Sequence, residues 1–307
     1  MQSQSQLSLF GHYGIFDLLK NLHLNKKIPN KIILSGEKGI GKCTLAYHLI
    51  NYILSSNEDC SYDTKDYKIN IENKSFKLIQ NKSSPNFNLI DVEEGKKNID
   101  INQIRNLISN LNKSSFNSKP RIVLIDNVEL LNTNSVNALL KILEEPTDNT
   151  NFILINNNKN LLPTLRSRCL NFKITFTNNQ SINVVNKILK EDINDIMNNE
   201  IISYYSTPGY LLKIIDFSNK FKIDLKNTSL KDFLFFVIKN SLFKDEPSYK
   251  ELIYSLIESY FRNNISLQNT KLIDKRNSFL QKIDNTKKFN LDEDTIFMEF
   301  EDKILND

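Results

Sequence analysis

Cysteine is scarce in this chain: only Cys43, Cys60 and Cys169 occur among its 307 residues. Their odd number and wide spacing argue against a disulfide framework and are typical of a protein kept in a reducing compartment. No two of them stand in C-x-x-C spacing, and the three histidines are scattered along the chain. We therefore predict that the protein has no zinc site.

Long apolar runs are also missing. The longest in the C-terminal third, Phe233 to Ile238, is far too short to cross a bilayer. Residues 1 to 6 are polar and lack the apolar centre of a signal peptide. We expect a cytoplasmic protein with no membrane partner.

Neither sign of charge is in large excess. The 40 Lys and Arg residues against 36 Asp and Glu residues leave a net charge of +4. A charge this small permits contact with nucleic acid without indicating it. The hydrophobic share of 40% is ordinary for a globular protein, and the length allows two or three domains.

Glycine is rare as well, yet three of the seven glycines, Gly36, Gly39 and Gly41, fall in one short stretch just before Lys42. An apolar run precedes this stretch, and a helix-compatible segment follows it. Such glycines let the backbone aim its N–H groups at a phosphate, the lysine reaches the β- and γ-phosphates, and the helix N-terminus attracts the anion. The order of these parts predicts a nucleotide-binding loop.

One position of this loop departs from the pattern G-x-x-x-x-G-K-[ST]. Cys43 stands where a hydroxyl group should hold Mg²⁺, and Thr44 comes one residue later. A thiol is a poor ligand for this hard cation. We therefore expect a degenerate site for ATP and Mg²⁺.

The following segments alternate between strand and helix patterns. The all-apolar run Ile122 to Ile125 is typical of a parallel strand buried on both faces, and it ends at Asp126. This carboxylate either holds Mg²⁺ through water or caps the next turn.

Residues 55 to 85 have no clear period and predict an irregular excursion. The alternation predicts a doubly wound parallel α/β domain, and only helices are expected after Thr177.

Two further motifs complete a family resemblance. They are the block Leu139 to Pro146 and the stretch Leu162 to Cys169, which contains Ser-Arg-Cys. With the glycine loop and Asp126, in this order, they resemble the clamp loader subunits of the AAA+ class, and most of all the delta-prime group of bacterial DNA polymerase III. The resemblance covers nearly the whole chain, densely up to Cys169 and thinly after Thr177.

This resemblance implies an architecture and partners. It predicts a AAA+ nucleotide-binding P-loop domain over residues 1–176, a small three-helix lid over 177–217 and an all-α collar over 218–307. It also implies a hetero-pentamer with other clamp loader subunits, which opens a sliding clamp and places it on primed DNA. In such rings each ATP lies between neighbouring subunits.

The resemblance also assigns roles to residues. Arg168 matches the arginine finger that reaches the γ-phosphate of a neighbour's ATP, a task suited to a permanently charged, forked group. Taken alone, Arg168 is a surface cation near a helix end. Asn156 matches a phosphate sensor, although it is equally typical of a turn. The nucleotide-binding positions predicted by loop and resemblance together are Gly36, Gly39, Gly41, Lys42, Thr44, Asp126 and Asn156.

Three positions lack the residue that an active ATPase of this class needs. Cys43 replaces the metal-binding hydroxyl residue, Asn127 replaces the glutamate that polarises water, and Tyr210 replaces a phosphate-sensing arginine of the lid. Glu129 lies close to Asn127 in sequence but is expected to point elsewhere. Losing a general base costs ~10²–10⁴-fold in rate, so we predict weak or absent ATP hydrolysis. Many delta-prime subunits carry a four-cysteine zinc module, and the matching region here holds only Cys60.

Two alternatives stay open. A stand-alone P-loop ATPase or kinase would need its own acid or base, and it leaves the Ser-Arg-Cys turn and the helical tail unexplained. A structural clamp loader subunit that binds no nucleotide would retain the glycine loop only for its contribution to the fold.

Overall fold

A computed structural model describes residues 3–113, 117–146, 149–202, 206–264, 270–289 and 291–305. The chain divides into two compact units, Met1–Gln180 and Ser181–Asp307. The first unit contains all the strands found in the described residues, and the second is helical.

The first unit is built on a five-stranded parallel sheet. Its strands are β1 (Lys31–Ser35), β2 (Phe87–Ile90), β3 (Arg121–Ile125), β4 (Thr150–Asn156) and β5 (Leu170–Lys173). Their order in the sheet is β2-β3-β4-β1-β5. After β1 the chain forms the edge strand β2, returns towards β1 through β3 and β4, and then passes β1 to form the opposite edge with β5. This is the doubly wound arrangement that the alternation of strands and helices predicts.

Helices cover both faces of the sheet. On one face, Ile33, Val123 and Phe152 belong to a buried cluster that includes Ile104 and Leu139 from two of the helices. The alternate residues of β1, such as Leu34, are buried too. Burial on both faces explains why the strands read as continuous apolar runs. The helices described before the division between the units are α1 (Tyr13–Leu24), α2 (Lys42–Ser55), α3 (Lys74–Gln80), α4 (Ile101–Leu111), α5 (Thr133–Glu144) and α6 (Pro163–Arg166).

Helix α3 corrects the prediction of an irregular excursion over residues 55 to 85. The side chain of Asn73 accepts a hydrogen bond from the backbone N–H of Phe76 and so caps the helix. Ile79 is buried, and the helix packs against α2. A helix of seven residues shows too few turns for its period to be recognised in a sequence this polar.

The second unit has a single apolar core that extends from Val185 to Leu305. Aromatic rings contribute much of it, with Phe217, Phe233 and Phe297 almost completely buried. Helices alone were expected after Thr177, and this is confirmed. The boundary between lid and collar at residue 217 stays a prediction. The helices are α7 (Asn178–Leu189), which begins just before the division, α8 (Ile193–Ile196), α9 (Pro208–Phe221), α10 (Leu230–Lys239), α11 (Pro247–Asn264), α12 (Thr270–Phe289) and α13 (Glu293–Phe300).

Candidate functional site

The glycine loop connects β1 to α2, and two of its glycines have a clear structural reason. A Cβ atom on Gly36 would lie 2.3 Å from the carbonyl oxygen of Ile174, so no side chain fits there. Gly41 has a φ of 96°, a backbone conformation that side chains disfavour. Gly39 also has a positive φ, of 85°. The loop therefore has the tight path that the sequence predicts, and Lys42 begins the helix after it.

Lys42 is turned onto its own loop. Its Nζ donates to the carbonyl oxygens of Gly36 at 2.9 Å and Glu37 at 2.6 Å, and the residue is only 3% exposed. Burial lowers the pKa of the ammonium group to about 8, although the negative charges of Asp126 and Glu129 oppose this shift. To bind a phosphate, the ammonium group has to exchange these two carbonyl oxygens for phosphate oxygens.

His12, which directly precedes α1, lies against the same loop. The ring of His12 stacks on Phe176 at a centroid distance of 3.8 Å, and its Nε2 lies 2.7 Å from the carbonyl oxygen of Ile40. The pKa of His12 is lowered, mainly because the ring is buried and also because of the charge of Lys42. The hydrogen bond with the carbonyl oxygen of Ile40 opposes this shift. We identified no local pattern that predicts this stacked pair, since 164 residues separate its members (176 − 12).

Cys43 and Asp126 lie close enough to shift each other's pKa, at the position where an active site would hold Mg²⁺. Desolvation and the charge of Asp126 raise the pKa of the thiol well above its usual value, so the Cys43 side chain is neutral. Burial raises the pKa of Asp126, and the charge of Asp91 adds to this effect. A neutral thiol beside the carboxylate does not fit a magnesium ion, which prefers oxygen ligands.

Asn127 occupies the position expected for the water-polarising glutamate. Its Nδ2 donates to Oδ1 of Asp91 at 2.8 Å, and its Oδ1 accepts from Nδ2 of Asn157, also at 2.8 Å. Both ends of the amide are therefore occupied. The local sequence did not single out Asp91 or Asn157, although both follow parallel strands, where polar groups of this fold gather.

Glu129 corrects a second prediction, because it does not point away from the site. Its Oε1 accepts from Nδ2 of Asn157 at 2.8 Å, and its Oε2 accepts from the backbone N–H of the same residue at 3.3 Å. Its charge also raises the pKa of Lys42. The short helical turn Val128–Leu130 brings this carboxylate back towards the end of β4.

Asn156 and Thr44 lie next to these groups. The backbone oxygen of Asn156 accepts from the N–H of Gly36 at 3.2 Å, which links β4 to the glycine loop. The side chain of Asn156 bonds the backbone of Lys159, with Nδ2 donating at 2.9 Å, and so closes its own turn. Thr44 is partly buried in the first turn of α2.

Arg168 lies apart from this cluster, just after α6. Its Nε donates to Oε1 of Glu144 at 2.9 Å, its Nη2 donates to the same oxygen, and its Nη1 donates to the carbonyl oxygen of Thr164 at 2.8 Å. The side chain is still 34% exposed. The buried neighbours Leu165 and Cys169 anchor the turn that presents it.

Tyr210 belongs to the second unit, in the first turn of α9. Thr207 caps this turn by accepting from the backbone N–H of Tyr210. The tyrosine packs against the apolar core, and its hydroxyl is buried with no hydrogen-bond partner among the described residues. Burial and the charge of Glu258 raise its pKa. A buried phenol does not supply the positive charge of an arginine.

Across the described part of the chain, no group of three or more His, Cys, Asp or Glu side chains is placed to hold a metal ion. The described helices also include none with the length and apolar character needed to cross a bilayer.

Known proteins resemble this chain over much of its length. One is the DNA polymerase III subunit gamma of Buchnera aphidicola subsp. Schizaphis graminum, which is 31% identical over 74% of this chain and 62% of its own length. Another is the DNA polymerase III subunit delta' of Pseudomonas aeruginosa, which is 32% identical over 45% of this chain and 40% of its own length. The chain thus spans about two-fifths to three-fifths of these relatives.

A solved structure and a family profile complete the comparison. The structure of a DNA polymerase III gamma subunit-related protein from Thermotoga maritima covers 92% of this chain and 96% of its own, with 17% identity and a TM-score of 0.46. The profile of the family described as "DNA polymerase III, delta subunit" matches residues 11–178, more than half of the chain. The chain therefore belongs to this family of DNA polymerase III clamp loader subunits.

Proposed function

We propose that this protein is a cytoplasmic, delta-prime-type subunit of a clamp loader that helps place a sliding clamp on primed DNA. It does so in a hetero-pentamer with other clamp loader subunits, and it contacts DNA within that complex. The family profile and the names of the relatives, DNA polymerase III subunits gamma and delta', support this proposal. Within the ring, we assign to Arg168 the role of an arginine finger that acts on a neighbour's nucleotide.

The state of Asn127 carries the second part of the proposal, that this chain itself hydrolyses ATP weakly or not at all. Its amide is bonded on both sides, to Asp91 and to Asn157, and an amide cannot accept a proton from water. The raised pKa of the Cys43 thiol beside Asp126 supports the same conclusion, because a neutral thiol is a poor ligand for the metal. A stand-alone P-loop enzyme would need both functions.

The setting of Arg168 suits a role in trans. Its guanidinium group lies at the surface of the first unit, where an approaching phosphate can replace Glu144. An anion with two oxygens accepts hydrogen bonds from both arms of the fork, and the arginine keeps its charge at any working pH. Arg168 can therefore act without any proton transfer, and it only has to exchange Glu144 for the phosphate.

Reconstitution with ATP-hydrolysing partner subunits tests this proposal. Arg168→Ala is expected to lower ATP turnover at the neighbouring site by about 10³-fold or more, and clamp loading with it. Arg105→Ala removes an exposed arginine from α4 and serves as the matched control. Unchanged turnover and loading in Arg168→Ala would exclude the finger.

The isolated chain tests its own activity. We expect ATP turnover at background level, equal in the wild-type protein and in Lys42→Ala. Turnover at a rate typical of kinases, about 1–100 s⁻¹, that Lys42→Ala abolishes would favour the stand-alone enzyme. A nucleotide titration separates the remaining alternatives, because a structural subunit would bind no ATP at all.

A further inference from the structure

A polar hollow lies in the first unit beside the start of the glycine loop, and its lining includes Ser35, which precedes Gly36, and Asn156, one of the predicted nucleotide-binding residues. It has a volume of about 270 Å³ and opens beside the carboxyl ends of β1, β4 and β5. Three cationic side chains line it: Lys159 from the loop after β4, Arg166 from α6 and Lys173 from β5. Lys42, Gly39 and the other residues that form the glycine loop do not line it.

Strand register explains why these groups meet. Ser35 pairs with Asn156 on one side and with Lys173 on the other, so the three residues lie at one level of the sheet. One step earlier on the same face, Ile33 pairs with Asn171. Strand β5 therefore offers the amide of Asn171 beside Ile33 and the ammonium group of Lys173 beside Ser35.

The charge of this hollow is unbalanced. None of its lining residues is acidic, and within the described ranges Lys159, Arg166 and Lys173 have no ion pair. By contrast, Arg168 is paired with Glu144, only two residues after Arg166. Like charges around one hollow repel each other, and a bound anion removes that cost.

The chemistry and the size of the hollow select a phosphate. Besides the three cations, the lining supplies neutral hydrogen-bond donors, namely the amides of Asn158 and Asn171 and the hydroxyl of Ser35. A phosphate offers several acceptor oxygens and accepts charge-assisted hydrogen bonds from Arg and Lys. The volume is below the range typical of drug-sized ligands, about 300–1,000 Å³. It suits one or two phosphate groups better than a whole nucleotide.

We propose that this hollow, lined by Lys159, Arg166 and Lys173, is an anion site for phosphate groups that lies beside the glycine loop and does not use Lys42. The phosphate comes either from a free anion such as pyrophosphate or from the backbone of a nucleic acid strand. This site goes beyond the function proposed above and does not depend on Arg168 or on a neighbouring subunit.

Calorimetric titration of the full chain with pyrophosphate, and separately with a thymidine oligonucleotide, tests the site. The variant Lys159→Ala/Lys173→Ala removes two of the cations, and Lys65→Ala/Lys68→Ala removes two exposed lysines elsewhere in the same unit. Since a hydrogen bond to a charged group is worth at least a factor of about ten, the first variant should weaken binding at least tenfold and the control should not.

Each outcome of the titrations bears on the proposal. Pyrophosphate binding that depends on the two lysines identifies a free anion as the ligand. Oligonucleotide binding with the same dependence, without pyrophosphate binding, identifies the nucleic acid backbone. Absence of both, or equal affinities in the site variant and its control, would overturn the proposal. All four substituted lysines are exposed, so circular dichroism should report the same fold for both double variants.

Discussion

Arg168 and Glu144 form an ion pair within the chain, in which both Nε and Nη2 of the guanidinium group donate to Oε1 of the carboxylate. Glu144 is the last residue of α5, and Arg168 follows α6. The pair thus ties the Ser-Arg-Cys turn to the end of the neighbouring helix. At 34% and 51% exposure, the two side chains remain open to solvent and to a competing anion.

We expect Glu144→Gln to release Arg168 and to favour its engagement with a neighbour's phosphate. An exposed pair contributes about 0–1 kcal/mol, so the apparent affinity between the subunits in the presence of ATP should rise by up to about fivefold. Titration of the partner subunit, followed by ATP turnover, measures this. Glu145→Gln, which changes the adjacent exposed carboxylate, is the control. If the apparent affinity between the subunits falls in Glu144→Gln and not in Glu145→Gln, Glu144 instead orients Arg168 towards the neighbour's phosphate.

Replacing the thiol at the degenerate metal position should restore a response to Mg²⁺. In the wild-type protein we expect Mg²⁺ to leave the affinity for ATP unchanged, because burial and the charge of Asp126 raise the pKa of the Cys43 thiol and keep it neutral. In Cys43→Ser, a hydroxyl group that can bind the cation replaces it, and Mg²⁺ should strengthen ATP binding. Titrations of both proteins with and without Mg²⁺ make the comparison. A strong effect of Mg²⁺ on the wild-type protein would contradict this reading of Cys43.

Lys42 should make stability depend on pH. Burial lowers its pKa from 10.5 in the unfolded chain to about 8 in the fold. Between these two pH values the unfolded chain binds more protons than the folded chain, so the free energy of unfolding rises with pH. The destabilisation caused by the buried, protonated ammonium group is fully present only below the lower value. Relative to Lys42→Met, which cannot titrate, the wild-type protein should gain up to about 3 kcal/mol across this window.

Urea unfolding of both proteins near neutral pH and near the upper end of this range measures that gain. Taking the difference between the two proteins cancels the titration of the tyrosines and the other lysines. If the difference in the free energy of unfolding between the two proteins stays constant across this pH range, the ammonium group of Lys42 is better solvated in the fold than its buried position indicates.

Gly36→Ala should destabilise the first unit. The new methyl group would lie 2.3 Å from the carbonyl oxygen of Ile174, which belongs to the backbone and cannot rotate away. We expect a loss of about 1–3 kcal/mol in the free energy of unfolding, typical of overpacking. Gly14→Ala is the matched control, because it lies in α1 with nothing within 4 Å of its added Cβ atom. It should instead stabilise the protein by up to about 1 kcal/mol. Equal effects in the two variants would contradict the close approach.

Much of the fold could be read from local patterns. The apolar runs of β1, β3 and β4 and the amphipathic stripes of α4 and α5 appear where the sequence indicates them, because burial on one or both faces constrains every residue of such an element. Helix α3 escaped recognition, since it is short and depends on the Asn73 cap and its contact with α2. The second unit was recognisable as helical, but its common core from Val185 to Leu305 was not.

The candidate site was harder to predict than the fold. Lys42, Cys43 and Asp126 were expected together, because the glycine loop and the end of a buried strand are placed by the P-loop arrangement. The roles of Asp91 and Asn157 were missed, and the direction of Glu129 was wrong. These groups follow three different strands, so their contacts depend on strand order, which no local period encodes.

For this protein, then, residue types and their spacing establish which elements form, where phosphate chemistry is expected and which groups for hydrolysis are missing. Long-range packing establishes the partners of those groups. The amide of Asn127 lies between Asp91 and Asn157, Arg168 lies against Glu144, and Lys159 and Lys173 meet beside Ser35. The physical reason is that periodicity reports burial within one element, whereas hydrogen bonds and charge balance arise between elements that are distant in sequence and adjacent only in the folded sheet.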